Sequence, residues 1–398
     1  MSKVELIDGV YWVGAVDWNL RDFHGYTTPR GGTYNAYLII DEKIALIDTV
    51  KKAFSGEMLA RISEIIDPSK IDYVVSNHVE IDHSGSLPDI MEIARNAQVI
   101  TSEKGKEGLL RYYRGNWNLR TVKTGDELEL GKKTLFFINA AMLHWPDSMS
   151  TYIKEDKLLL SNDLFGQHIA SSFRFEEDAC CPPGYERDVV MEEAAKYYAN
   201  IFMQFGALIL KKIEEFQKLG IQIKMIGPSH GIIWKNPEKI IDAYVNWAKG
   251  ISAQKAVVIY DTMWESTEIM AKEIIKGVSE SGVEASLFHL RRNEWSEIMK
   301  EVLESRAVII GSPTLHNDLF PTVGGFLVYL TGLRPKNKIW ATFGSYGWAG
   351  GGVKGINDKL KSAGNEPVES LEVRFRPDEM DLANCYAMGQ RIASQVKA

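Results

Sequence analysis

The sequence predicts two α/β domains of different kinds: a four-layered αββα sandwich over residues 1–250, and a doubly wound parallel sheet of five strands over residues 254–398. Three observations carry this reading. Strand-rich stretches followed by helical ones occur twice in the front part of the chain. Apolar runs in the back part alternate regularly with helical patterns. The pattern changes at Gly250-Ile-Ser-Ala-Gln254, where a helix containing Trp247 gives way to the apolar run at 256–260.

The elements follow in order. Residues 34–40 and 44–47 alternate as two strands around a polar turn at 41–43. An amphipathic helix is predicted over 54–66, a buried strand over 71–76 and a helix over 87–95. Strand-rich stretches cover 121–139 and 152–161, a loop is read at 180–185 from its Cys-Cys-Pro-Pro-Gly chemistry, and a long helical segment runs over 191–219. In the back part, strands fall at 256–260, 285–290, 307–311, 339–343 and 371–374, with helical patterns between them.

Composition sets the class. At 398 residues the chain is long for one domain, and 45% apolar with 25% charged residues is ordinary for a globular protein. A net charge of −7 argues against a general nucleic-acid binder. No apolar run spans a bilayer and the N-terminus lacks a signal-peptide core, so no membrane partner is expected. The three cysteines, Cys180, Cys181 and Cys385, make neither a disulfide framework nor a thiolate metal knot, which fits a reducing cytoplasm. Without a Cys-x-x-Cys pair, no rubredoxin-like iron site lies within these residues.

The densest chemistry is His78-Val-Glu80-Ile-Asp82-His83, directly after the strand at 71–76. Two imidazoles and two carboxylates cannot be buried together without a compensating cation. Three more candidates end apolar runs or stand in loops: His144, Asp163 and His230. Histidines mixed with carboxylates, without cysteine, suit iron, manganese or zinc. His289 follows an apolar strand alone and reads as structural.

The back domain shows a second site at the carboxyl ends of its strands, where such sheets bind ligands. Asp261-Thr-Met-Trp-Glu-Ser-Thr267 opens onto a helix and offers hydroxyls and backbone N–H groups to a phosphate. Ser312-Pro-Thr-Leu-His-Asn317 and Phe343-Gly-Ser-Tyr-Gly-Trp-Ala-Gly350 bring backbone donors and rings toward a flat heterocycle. No Walker or Gly-x-Gly-x-x-Gly motif is present, which argues against a nucleoside triphosphatase and a dinucleotide site.

The order His-x-Glu-x-Asp-His, then His, Asp and His, resembles the metallo-β-lactamase superfamily, and Glu80 in the second cluster position resembles the flavodiiron proteins. The back loops are similar to those of flavodoxins, which bind flavin mononucleotide (FMN). The resemblance implies a metallo-β-lactamase-like domain and a flavodoxin-like domain, with His78, Glu80 and His144 binding one iron, Asp82, His83 and His230 the other, and Asp163 bridging. An anionic oxygen ligand favours harder, higher-charged ions, in keeping with iron. For FMN it implies Thr262, Met263, Trp264, Ser266 and Thr267 at the phosphate, with the Glu265 carboxylate turned away. Ser312, Pro313, Thr314, Leu315 and Asn317 would line the ring, with Gly344, Ser345, Tyr346, Gly347 and Trp348 on another side. His24 and Tyr198 resemble second-layer groups that supply protons or hydrogen bonds, while His168 and His316 are not expected to be ligands.

The function so implied is reduction of dioxygen to water, of nitric oxide to nitrous oxide, or of both. Electrons would come through FMN from a separate donor such as rubredoxin, in a head-to-tail homodimer or a dimer of dimers. The competing readings are a deazaflavin (coenzyme F420)-dependent oxidase of the same family, a dinuclear zinc hydrolase with a flavodoxin-like partner domain, and a pure electron carrier.

Overall fold

The computed structural model describes residues 3–179 and 188–398; the loop read at 180–185, with Cys180 and Cys181, lies outside them. The chain divides into two compact units, the first comprising Met1–Tyr198 and Ala207–Val245, the second Ala199–Gly206 and Asn246–Ala398.

The first unit is built on two sheets. Seven strands pair in the order Val4–Ile7, Val10–Trp12, Tyr37–Ile40, Ile44–Ile47, Tyr73–Val75, Gln98–Thr101 and Asn118–Thr121. Five more pair as Glu127–Glu129, Thr134–Asn139, Met149–Ile153, Leu158–Asn162 and Met225–Pro228. Successive strand residues point to opposite faces, and the sequence uses both faces apolarly. Ile39, Ile47, Val75 and Ile100 meet Phe137, Ile153 and Leu160 in one core between the sheets. Their neighbours Leu38, Leu46, Val74 and Val99 pack on the other side with Met58, Ile62, Ile90 and Leu109, which come from helices. Helix, sheet, sheet and helix layers follow from that alternation, and the αββα sandwich is the fold observed.

Several elements differ in extent from the sequence reading. The strand at 34–40 is two short ones, Gly32–Tyr34 and Tyr37–Ile40, in different sheets. Asp82 and His83 stand in a single-turn helix, Ile81–Ser84, rather than in open loop. The helical segment at 191–219 is broken into Val189–Tyr197, a π-helical turn at Tyr198–Phe202, a 3-10 turn at Met203–Phe205, and Gly206–Lys218. Helical periodicity runs through all of these, so it cannot show where the winding changes.

In the second unit five parallel strands lie in the order Glu284–His289, Ala253–Tyr260, Ser305–Leu315, Ile339–Tyr346 and Pro367–Arg374. This is the 2-1-3-4-5 order of flavodoxin-like sheets, and the order reverses between the first and third strands in sequence. A short strand, Asp318–Leu319, doubles back on the third. The strands buried on both faces read as continuous apolar runs such as Ala256–Tyr260, and Met270, Ile274, Met388 and Ile392 of the covering helices pack on them.

Candidate metal centre and flavin cleft

Three of the candidate ligands of the first unit stand just beyond the end of a strand. His78 follows Tyr73–Val75, Asp163 follows Leu158–Asn162, and His230 follows Met225–Pro228. The apolar strands stay in the cores while their carboxyl ends present polar groups to one place. The seven residues singled out from the sequence converge there.

Asp163 lies at the middle. Its Oδ2 is 3.6 Å from His78 Nε2 and 3.3 Å from His144 Nε2. Its Oδ1 is 3.1 Å from His83 Nε2 and 3.4 Å from His230 Nε2. Glu80 Oε2 completes the first set, 3.2 Å from His78 Nε2 and 3.6 Å from His144 Nε2. Asp82 Oδ2 completes the second, 3.1 Å from both His83 Nε2 and His230 Nε2. One carboxylate thus offers an oxygen to each of two His₂–carboxylate sets. Only Glu80 and His144 keep appreciable side-chain exposure, 20% and 12%.

The electrostatics need a cation. Both Asp82 oxygens, Asp163 Oδ2, both His83 nitrogens and His230 Nε2 are buried without a hydrogen bond among the described residues. Burying so many polar atoms unpaired is costly unless an ion satisfies them. Burial alone would push the Asp163 carboxyl up, but His83, His144 and His78 hold it well below the usual range. Burial would likewise lower His83, yet Asp82 and Asp163 raise it to about 9. The donor set fits two divalent ions.

His24 joins this centre through a tight hairpin. His24 and Gly25, at φ 52° and 74°, form the two-residue turn between Asp22–Phe23 and Tyr26–Thr27. That turn sets His24 Nε2 3.5 Å from Glu80 Oε1. Tyr198 faces elsewhere, edge-on to Tyr244 with ring centroids 5.0 Å apart. Its neighbour Tyr197 donates to Asp163 Oδ1 at 3.3 Å. Consecutive helical residues point about 100° apart, so only one of a Tyr-Tyr pair faces the centre. His168 lies among Phe23, His230 and Tyr197 with centroids at 5.0, 4.8 and 5.1 Å. Burial, then His230 and His24, push its pKa well down.

Other residues at the centre are absent from the sequence reading. Asp147 Oδ2 accepts from His78 Nδ1 at 2.9 Å and from the Val79 N–H at 2.8 Å. The signal for it is chemical: a ligand imidazole needs an acceptor on its other nitrogen, and Asp147 shares a loop with His144. His230 Nδ1 donates to the Thr33 carbonyl at 2.8 Å, and Ser229 Oγ donates to Asp163 Oδ1 at 2.9 Å. Asn35, fully buried, holds the same loop. Its Nδ2 donates to Pro228 O at 2.7 Å and Gly231 O at 3.1 Å, while its Oδ1 accepts from Trp12 Nε1 at 2.8 Å.

In the second unit a cleft of about 320 Å³ opens at the carboxyl ends of the strands, lined by Met263, Trp264, Ser266, Pro313, Thr314, Ser345, Tyr346 and Gly347. Phe375 and Arg376, from the loop after the fifth strand, also line it and were not singled out from the sequence. The helix Ser266–Glu280 starts at the cleft with no side-chain cap, leaving its first N–H groups for an anion. Glu265 before it has φ 68°, the left-handed region that glycine adopts most readily, and its side chain is exposed.

The remaining flavin candidates do not line the cleft but shape or flank it. Thr262 and Thr267 are buried, and Thr267 Oγ1 lies 3.0 Å from Ser345 Oγ. Ser312 Oγ accepts the Phe320 N–H at 2.9 Å. A Cβ on Gly344 would come within 2.2 Å of Ser312 O, so glycine lets these two strands approach. Leu315 and Asn317 belong to the hairpin into Asp318–Leu319, and Trp348 is 87% exposed. His316 is exposed in that hairpin, and His289 Nε2 lies 3.4 Å from the buried Asp261. Asp261 also takes Arg291 Nε at 2.9 Å and the Thr322 hydroxyl, and Arg291 Nη2 donates to Thr262 O at 2.5 Å.

A two-sheet sandwich with a His/carboxylate centre, joined to a flavodoxin-like sheet, defines a metal-dependent oxidoreductase of the metallo-β-lactamase fold. Comparison with known proteins agrees. Residues 33–231 match the ODP family beta lactamase model and residues 258–389 the flavodoxin model. The chain is 49% identical to a nitric oxide reductase of Moorella thermoacetica over 99% of each chain. It superposes on the rubredoxin oxygen:oxidoreductase of Desulfovibrio gigas with a TM-score of 0.95, at 40% identity over 100% of this chain and 99% of that one. For the flavodiiron protein of Giardia intestinalis the TM-score is 0.94, at 35% identity over 100% and 97%. The chain belongs to the flavodiiron protein family.

Proposed function

We propose that this protein reduces dioxygen to water, nitric oxide to nitrous oxide, or both, at a non-haem diiron centre, with electrons entering through FMN from a separate donor such as rubredoxin. One observation carries the reading: Asp163 divides its two oxygens between two matched His₂–carboxylate sets, on a chain that also carries a flavodoxin-like cleft. The printed names of the relatives support dioxygen and nitric oxide as substrates and favour this reading over a deazaflavin-dependent oxidase. Glu80 and the cleft weigh against the zinc hydrolase.

When bound, a carboxylate-bridged iron pair supplies electrons together to a small diatomic molecule, and a flavin gathers electrons that arrive singly. The protein's own groups hold geometry and protons. Asp147 fixes the tautomer of His78 so that Nε2 faces the ion, and the Thr33 carbonyl does the same for His230. The Tyr197 hydroxyl holds the Asp163 carboxylate, and the His24 ring borders the same space and can supply a hydrogen bond to a bound gas molecule. Strands, cores and aromatic rings exclude bulk water from all but the Glu80 and His144 side.

In the second unit, the uncapped start of Ser266–Glu280 receives the FMN phosphate, and Pro313, Thr314, Tyr346 and Gly347 face the ring. The site assignments and the break near residues 250–254 belong to this proposal, as does the head-to-tail homodimer in which one flavin lies beside the partner's irons. Supporting that assembly, Trp264 and Trp348 beside the cleft are 84% and 87% exposed, apolar area that a second subunit would cover. Among the described residues no helix is long and apolar enough to cross a membrane, and the cysteine usage favours the cytoplasm.

The test is direct. The purified chain should contain about two irons and one FMN, and should turn over each gas with reduced rubredoxin. Stoichiometric zinc with no gas consumption after iron loading would refute it.

A further inference from the structure

The two ligand sets are matched in type, but their surroundings are not. His78 Nδ1 faces a carboxylate, Asp147, at 2.9 Å, and Asp147 is 4% exposed. A buried anion behind an imidazole makes it a stronger donor to its ion. On the other side His230 Nδ1 faces only a neutral carbonyl, that of Thr33.

The bridge is uneven in the same sense. Asp163 Oδ1, on the Asp82–His83–His230 side, accepts hydroxyl hydrogens from Ser229 at 2.9 Å and Tyr197 at 3.3 Å. Asp163 Oδ2, on the His78–Glu80–His144 side, accepts none among the described residues. A hydrogen bond into a ligating oxygen draws electron density from it, so Oδ1 is the weaker donor of the two. Asp48, another buried carboxylate of this unit, accepts from Asn77 and Asn162 and makes no hydrogen bond to a ligand, so it reaches His83 only through its charge.

We infer that Ser229 and Asp147 are positioning residues that make the two iron sites electronically unequal, so that the ion held by Asp82, His83 and His230 is reduced first. The inference rests on the diiron reading above. Two one-electron steps are involved, each taking ferric to ferrous with an electron from the reduced flavin, and no bond to a ligand is made or broken. Ser229 raises the potential of the first-reduced ion, and Asp147 lowers that of the second.

The experiment is a mediated redox titration of the full-length, iron-loaded protein, followed by Mössbauer and electron paramagnetic resonance spectroscopy, with two irons per chain verified in each variant. Ser229→Ala should lower the first potential and Asp147→Asn should raise the second. Each change should narrow the separation by about tenfold in the equilibrium constant between the mixed and uniform oxidation states, ~59 mV for a one-electron couple. Ser229→Thr, which keeps the hydroxyl, should restore the wild-type separation, which a packing role alone would not require. Should Ser229→Ala load no iron, Ser229→Cys carries the comparison: its weak S–H donor should give an intermediate separation. An iron-loaded Ala, Cys or Asn variant whose separation is unchanged or wider overturns the inference. A wild-type protein with no ferric–ferrous transition overturns the functional reading itself.

Discussion

Replacing Asn35 by Ala tests whether the His230 loop is held as described. The substitution removes three side-chain hydrogen bonds in a fully buried place, but the three partners lose unequally. Pro228 O keeps the Tyr37 hydroxyl at 2.7 Å, and Gly231 O keeps only a long contact to Thr33 Oγ1 at 3.4 Å. The Trp12 indole N–H loses its acceptor outright. A buried group left unsatisfied costs roughly 1–3 kcal/mol, so the indole plus a partly satisfied Gly231 carbonyl comes to about 3 kcal/mol. That is a large share of the 5–15 kcal/mol or so that holds a typical domain folded. The assay is urea denaturation of metal-free chain, because bound ions would add linkage stability that masks the loss. Asn35→Asp should do no better, since it keeps the acceptor for Trp12 but sets a carboxylate against two carbonyls. Iron content after loading should fall in both variants as the loop carrying His230 loosens. A stability loss below about 1 kcal/mol in both would refute the idea that Asn35 clamps this loop.

Further outcomes are expected elsewhere. Asp163→Ala should lose most bound metal in elemental analysis, because both ligand sets lose an oxygen at once; unchanged iron content would mean that the bridge is misassigned. Glu265→Gly should strengthen FMN retention severalfold by fluorescence titration of flavin-free protein, as it relieves left-handed strain of about 1 kcal/mol and removes an anion beside the phosphate cradle; weaker binding would contradict this. Arg291→Met leaves Asp261 buried with fewer partners and frees the Thr262 carbonyl, so FMN affinity should fall about tenfold, roughly 1.4 kcal/mol, and an unchanged value would show that these Arg291 contacts do not shape the cleft. Burial, helped by Arg306, pushes the Lys338 pKa from 10.5 down to about 7. Between those values the unfolded chain binds a proton that the folded chain has released, so this group makes stability rise with pH across that window. Lys338→Met should flatten the rise in denaturation midpoints measured at pH 7 and pH 9.5.

The convergence of these residues was legible because the candidate ligands are concentrated: four of the seven fall within His78 to His83, and a buried strand precedes them. The sheet of the second unit was legible because parallel strands buried on both faces print as apolar runs. What escaped was set by tertiary placement. Whether Tyr197 or Tyr198 faces Asp163 depends on helix phase, which the irregular winding after Tyr197 obscures. Asp147, Ser229 and Asn35 act through partners distant in sequence, so no local pattern marks them. The early strands broke up because Asn35 leaves the ladder: its N–H bonds Ser229 O at 2.7 Å.

Every residue proposed as a metal ligand stands beyond a strand end, in a connecting loop or in the one-turn helix Ile81–Ser84, and none contributes to the apolar cores. For biosynthesis this means that the scaffold can be completed before any ion is delivered, with loading as the last act of maturation. Delivery has one open side, since Glu80 and His144 alone among the seven retain more than a trace of exposure. Metal added to finished, metal-free chains should therefore complete the centre with no new protein synthesis, read as metal content per chain after loading.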